Sequence, residues 1–239
     1  MKKEISKKFY QRYKDVQWKP MDLTADVDYE WIAKSSQLPW LELDIEIPID
    51  KILREIQNIK HLCVPHRDDY AENAGWNSFC IHGQSYNATR EDIYYDHSQP
   101  YQYTKEAIDL MPYTVQYFKD VWPHLSYQRL RVMQLKPNGY ISLHKDNDIS
   151  TLSPINIAIT HPLDCGFVMA KYGTVPFEPG RAFVLDVSNH HTIFNNSQQD
   201  RWHIIVHQNS DDKFKDLVVK SYKKLYNKFY EESNNNNPR

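Results

Sequence analysis

Residues 127–146 read YQRLRVMQLKPNGYISLHKD, two alternating stretches separated by KPNG. Val, Ile, Leu and Tyr suit extended chain, and Pro137, Asn138 and Gly139 are turn formers, so the segment predicts strand, turn, strand. The same punctuation continues downstream. INIAIT, GFVMAK, RAFVLDV, HTIFN and RWHIIVHQ follow at short intervals, broken by HPLDC, YGTVPFEPG and NSQQD. Seven strands at this spacing predict a mainly β fold, a sandwich or barrel. Helices flank it. PIDKILREIQNI repeats Ile49, Ile52, Leu53, Ile56 and Ile59 at helical spacing behind Pro48. MPYTVQYFKDVW sets Val115, Phe118, Val121 and Trp122 on one helical face. Past residue 210, Phe214, Leu217, Val218, Tyr222, Leu225 and Phe229 form one stripe, with lysines as the solvated face and SNNNNPR as a polar tail.

The remaining chain divides around that block. Residues 1–45, rich in charge, aromatics and proline, form an arm wrapping the domain, with LELDIEI alternating as a strand. Residues 46–210 make the main domain and 211–239 the C-terminal helix and tail. Within 61–111, only WNSFCIHG has strand character, and the rest predicts long loops.

Hydrophobic residues at 41% and charged residues at 25% mark a globular chain, and a net charge of -2 gives no basic excess for nucleic acid or an anionic membrane. The three cysteines are dispersed and odd in number, which argues against a disulfide framework and for a reducing compartment. The N-terminus lacks the apolar run of a secretory signal, and no stretch approaches the ~18 apolar residues of a membrane span. A cytoplasmic protein is expected.

The chemistry begins at His144-Lys145-Asp146. On a strand, residues two apart share a face, so Tyr140, Ser142 and His144 should point one way, with Asp146 following, and Ile141 and Leu143 the other. A His-x-Asp pair arises about once by chance in a chain of this composition, and a second, His66-Arg67-Asp68, lies in a loop-like setting after Pro65 where a solvated or capping role is expected. The first pair has company. About 45 residues on, His190 and His191 open a segment that passes through an expected β-hairpin into a strand where Arg201, His203 and Ile205 share a face. One of those histidines would complete two imidazoles and a carboxylate, the ligand set of non-haem Fe(II) oxygenases. An arginine inside a barrel needs an anion, and 2-oxoglutarate, chelating the iron through one end, would present its far carboxylate to Arg201.

With these residues in view, the sequence resembles the 2-oxoglutarate- and Fe(II)-dependent dioxygenases of the aspartyl/asparaginyl β-hydroxylase family. The resemblance rests on His144-Lys145-Asp146 after LKPNGYIS, on INIAI, and on GTVPFEPGRAFVLDVSNHHTIFNNSQQDRWHIIVH. It runs from about Pro112 to His207. It implies a double-stranded β-helix (jelly roll, cupin-like barrel), Fe(II) held by His144, Asp146 and His191, 2-oxoglutarate held by Arg201 with Asn156 within reach, and O₂ with a small-molecule or peptide substrate. Because Asp146 is present, the chain looks more like the bacterial free amino-acid hydroxylases, proline hydroxylases included, than like animal members lacking the acidic ligand. His191 is preferred to His190 because HTIFN sets His191, Ile193 and Asn195 on one face and the ten-residue step to Arg201 fits the family.

The expected activity is hydroxylation of an unactivated carbon of an amino acid, free or peptidyl, with release of succinate and CO₂. The alternatives are a non-catalytic cupin-like barrel that binds a metal or small anion, and a zinc hydrolase, which leaves Arg201 without a task. Trp76, Tyr86, Arg90, Tyr94 and Tyr95 are expected substrate contacts. His203 is expected to be an inner, satisfied polar group, His207 a surface residue, and Trp122 and Trp202 core, with Trp76 read both as core and as a substrate contact.

Overall fold

The computed structural model describes residues 2–20, 23–66, 74–88 and 100–235. Among them are eleven strands: β1 (Trp40–Glu42), β2 (Val64–Pro65), β3 (Ala74–Gly83), β4 (Gln102–Tyr103), β5 (Ser126–His144), β6 (Ile155–Thr160), β7 (Cys165–Met169), β8 (Gly173–Thr174), β9 (Ala182–Leu185), β10 (His191–Asn195) and β11 (Arg201–Asn209). The helices are α1 (Lys2–Tyr13), α2 (Tyr29–Lys34), α3 (Ile49–Ile59), α4 (Lys105–Leu110), α5 (Pro112–Asp120) and α6 (Asp212–Asn235).

Strand order is β1-β9-β6-β11-β5-β10-β7-β8, with β3 on the other edge of β5 and β2 and β4 beside β3. Neighbours pair antiparallel. β5 is expected to be two strands; it is one, nineteen residues long, that looses its ladder over Lys136–Gly139. Before that corner it pairs with β11, and after it with β10. Residues of both arms, Arg131 and Met133 on one and Ile141 and His144 on the other, line a single cavity, so β5 folds over at KPNG and contributes to two facing sheets. Turn chemistry permits this: Asn138 takes φ 60°, and a Cβ at Gly139 would sit 2.8 Å from the Ala74 carbonyl. The result is a double-stranded β-helix with flanking helices.

The corner also corrects the expected hairpin. β10 and β11 do not pair with each other; each pairs with its own arm of β5. Asn195 ties the crossing, its Nδ2 donating to the carbonyls of Leu135 (2.8 Å), Lys136 (3.1 Å) and Gln199 (2.7 Å).

Apolar side chains fill the space between the sheets and beneath the helices. Leu135, Ile141, Ala158, Phe167, Phe183 and Ile193 pack between the sheets, while Ile52, Ile56 and Ile59 of α3 lie on the outer face with Ile157, Val184 and Ile204. Of the face expected for α5, Phe118 and Trp122 are buried as read and Val121 is 64% exposed, while Thr114 and Tyr117 are buried as well; Glu55 accepts from the amides of Tyr113 and Thr114 and fixes the helix start against α3. Of LELDIEI only Leu41 and Glu42 belong to a strand, β1, since the Asp44 amide leaves the sheet to donate to Ser221 Oγ of α6. No described helix is long and apolar enough to cross a membrane.

Candidate metal centre

His144 ends β5 and His191 begins β10, paired across the ladder. A bulge brings them to the cavity. Register slips between His191↔His144 and Ile193↔Ile141, so Ser142 and Leu143 together oppose Thr192. Strict alternation expects His144 opposite to Ile141; the extra residue turns His144 onto Ile141's side, and both line the cavity. The Leu143 amide donates to Oγ of Ser6 in α1 at 2.8 Å. Asp146 reaches the site from the loop beyond the strand, its amide donating to the Val187 carbonyl at 3.0 Å.

One ligand atom from each of His144, Asp146 and His191 lies within 4.8 Å of the others. Nε2 of His144 is 3.5 Å from Oδ1 of Asp146. Nδ1 of His144 faces the Ser142 carbonyl at 2.6 Å and Nδ1 of His191 the Asn189 carbonyl at 2.9 Å. A carbonyl only accepts, so both protons sit on Nδ1 and both Nε2 lone pairs are free for a cation. Phe167 stacks on His191 at 4.9 Å. Burial, then His144, pulls the His191 pKa down to about 4, which keeps its imidazole neutral. His190 is exposed and outside the cluster.

Arg201 stands beside the corner, paired with Leu135 at the start of β11, and is 4% exposed. Its Nε has no hydrogen-bond partner, and among the described residues no carboxylate reaches it. Nη2 lies 3.1 Å from Nδ1 of His203, which is also 2.6 Å from Oδ1 of Asn156. That neutral nitrogen offers one lone pair at most, against five N–H donors on the guanidinium. Burial pulls the Arg201 pKa down to about 10. Asp186, the protein carboxylate that would otherwise suit it, accepts from Ser150 Oγ, Ser188 N and Ser188 Oγ. His203 is the expected inner polar group, its Nε2 lying 3.2 Å from Nδ1 of His161.

The cavity holds about 450 Å³, the size of a small-ligand site, and His144, Asp146, His191, Arg201 and Asn156 all line it. Of the expected substrate contacts, Trp76 lines it, Tyr86 packs toward Phe79 instead, and Arg90, Tyr94 and Tyr95 lie outside the described residues. Two histidines are corrected. His66 is buried on the cavity wall, Nδ1 3.1 Å from Ser78 Oγ, because β2 pairs with β3 and carries it inward; Arg67 and Asp68 lie outside the described residues. His207, expected at the surface, also lines the cavity beside Arg129 and Arg131. The signal was present in RWHIIVHQ: counting by two from Arg201 passes His203 and Ile205 and reaches His207.

Solved structures with a similar fold include a 2OG-Fe(II) oxygenase-family oxidoreductase from Burkholderia pseudomallei (10% identity, TM-score 0.45, covering 80% of this chain and 95% of that one). Another is a prolyl-4-hydroxylase from Pseudomonas putida (11%, 0.41, 77% and 97%). A third is a viral collagen prolyl hydroxylase from Paramecium Bursaria Chlorella virus-1 (11%, 0.40, 71% and 95%). At these identities and scores they carry nothing about the chemistry of this chain. No curated protein sequence matches it. The family model for aspartyl/asparaginyl β-hydroxylases does, over residues 45–209, which takes in every residue of the cluster and its arginine. The chain therefore belongs to the aspartyl/asparaginyl β-hydroxylase family.

Proposed function

We propose that the protein is a 2-oxoglutarate- and Fe(II)-dependent oxygenase that hydroxylates an unactivated carbon of an amino acid, free or within a peptide. The observation that carries this is the pairing of two features in one cavity. Three metal-ligand side chains converge at one level, and a buried arginine with no anionic partner among the described residues stands at another. A metal-only site would have no use for the arginine.

The donor set fits ferrous iron, two imidazoles and a carboxylate leaving other positions open, and Arg201 fits the far carboxylate of 2-oxoglutarate. When bound, the two supply the oxidising chemistry, with O₂ consumed and succinate and CO₂ released. The chain does the rest. The Ser142 and Asn189 carbonyls hold the imidazoles in one tautomer, and Phe167, Leu185, Val187 and Ile193 give the cavity apolar walls that exclude water. His203 Nδ1 lies against the guanidinium, and Asn156 packs on that same nitrogen. Three free cysteines are consistent with the cytoplasm.

Anaerobic titration with Fe(II) and 2-oxoglutarate should give a metal-to-ligand absorption band, and aerobic turnover should give succinate, both lost in His191→Ala and retained in His190→Ala. A barrel that binds a metal or anion without turnover would bind both and form no succinate.

A further inference from the structure

On the outside of the barrel, the sheet face covered by α3 changes character at its end. Ile157 and Ile204 pack against the isoleucines of α3, but one step further along the same face stand Trp202, Gln134 and Asn77, side by side across β11, β5 and β3. Gln134 is 2% exposed and Asn77 8%, positions where an aliphatic side chain is the usual occupant. Asn77 Nδ2 donates to Gln134 Oε1 at 3.0 Å. Nε2 of Gln134 keeps two N–H groups, and among the described residues nothing accepts from them. A donor taken out of water and left unused is costly, so a polar group from outside the chain should meet it.

That amide borders a groove. Two adjoining hollows of about 490 and 630 Å³ run from the Lys60–Leu62 turn after α3 to residues 198–200 before β11, and Gln57, Lys60, Gln134 and Lys136 line both. Asp200, in the second hollow, holds Lys60 Nζ at 2.6 Å. The first hollow contains both lysines and, among its described lining residues, no carboxylate. Lys136 is exposed and has no acid partner among the described residues. Burial, then Asp200, pushes the Cys63 thiol up to about 12 against the opposing pull of Lys136 and Lys60. Both ammonium groups therefore act on one place, and the neutral thiol there adds no negative charge. Two cations and a spare amide donor against one acid leave an excess of positive charge and of N–H groups, the complement of an oxyanion.

We infer that this groove is a second ligand site, which takes a small oxyanion, phosphate or carboxylate, on Lys136, Lys60 and Nε2 of Gln134. The site stands whether or not the oxygenase reading does. It lies on the reverse of the wall that carries Arg201: Gln134 and Trp202 face outward, whereas their neighbours Leu135 and Arg201 face into the barrel. An anion in the groove and a dianion on Arg201 occupy separate places.

The test is ¹H–¹⁵N NMR on the full chain, following the side-chain amide signals of Gln134, which are assigned by their loss in Gln134→Leu. The probes are inorganic phosphate and malonate, each titrated at constant ionic strength to ~30 mM, where a site with a Kd of about 1 mM is nearly full. The expected result is a saturable shift of those signals with at least one probe, equal in wild-type protein and in Arg201→Met, and the tighter probe identifies the source of the anion. Lys136→Glu should abolish the shift. Lys136→Gln, and Gln134→Leu read on the Asn77 amide, should each weaken binding about two- to ten-fold. Lys228→Glu on α6, which makes the same change in net charge and lines neither hollow, should bind as wild type does. No saturable shift with either probe overturns the proposal. So does binding that survives in folded Lys136→Glu, that falls as far in Lys228→Glu, or that is lost in Arg201→Met.

Discussion

A guanidinium removed from water with no carboxylate beside it destabilises the fold that holds it. For Arg201 the sign follows from its pKa. The folded value, about 10, lies below the ordinary 12.5, so the unfolded chain keeps this proton more tightly and stability rises with pH between the two. At neutral pH the cost is present in full, and a bound dianion relieves it. 2-Oxoglutarate at a hundred times its Kd should raise the Tm of wild-type protein by about 5–10 °C. Arg201→Met should weaken that binding about ten- to a hundred-fold, remove the Tm response, and leave the unliganded Tm unchanged or higher. Arg201→Lys should recover only part, since it keeps the charge and loses the planar fork. A lower unliganded Tm with normal 2-oxoglutarate affinity would mean that the arginine serves the fold.

Among the elements, β5 and α1 decide whether His144 faces the cavity. The bulge at Ser142 and Leu143 is stabilised from outside the sheet, where Ser6 Oγ accepts from the Leu143 amide and donates to the Lys2 carbonyl, both at 2.8 Å. Ser6 is fully buried. Ser6→Ala should leave that amide without its acceptor, cost about 1–3 kcal/mol and lower Tm by several degrees. Because the lost bond lies next to His144, Fe(II) affinity should fall as well, which equilibrium dialysis would show. A variant that melts early yet binds iron normally would refute the link between helix and ligand. The bulge was not legible in the sequence: YISLH alternates cleanly, and only pairing with β10 reveals the extra residue. Nor was α1, whose one buried residue is a serine and whose Tyr10 packs on Phe194, with no aliphatic stripe.

For the molecule as a whole, acid should be the weak side. His82, His161, His203 and His207 all have pKa values lowered first by burial, His82 to about 4 and His161 to about 3. Their unfolded values lie near 6.5, so below that pH the unfolded chain takes up protons that the fold refuses. Stability should hold above pH ~6.5 and decline steeply toward pH 4, and urea midpoints across that range would show it; a flat profile would contradict the buried neutral assignments. The general architecture was readable in advance because strand punctuation from Tyr127 to Gln208 depends on local chemistry. The metal cluster and Arg201 were readable for a related reason: their residue types recur at fixed steps along two segments. Arg129, Arg131 and His207 became neighbours only through the register of two strands some seventy residues apart, which no local pattern encodes.

The hydroxyl of Ser6 bears finally on where this enzyme can be cut. Likeness to the family begins at residue 45, yet the residue that props the bulge beside His144 sits thirty-nine positions earlier, and β1, which extends the sheet beyond β9, is also left out. A shortened protein starting at residue 45 would retain His144, Asp146, His191 and Arg201 and should still be blind to iron. Homology marks what is inherited together, whereas hydrogen bonding marks what must be kept together, and in this chain the second boundary lies further out than the first.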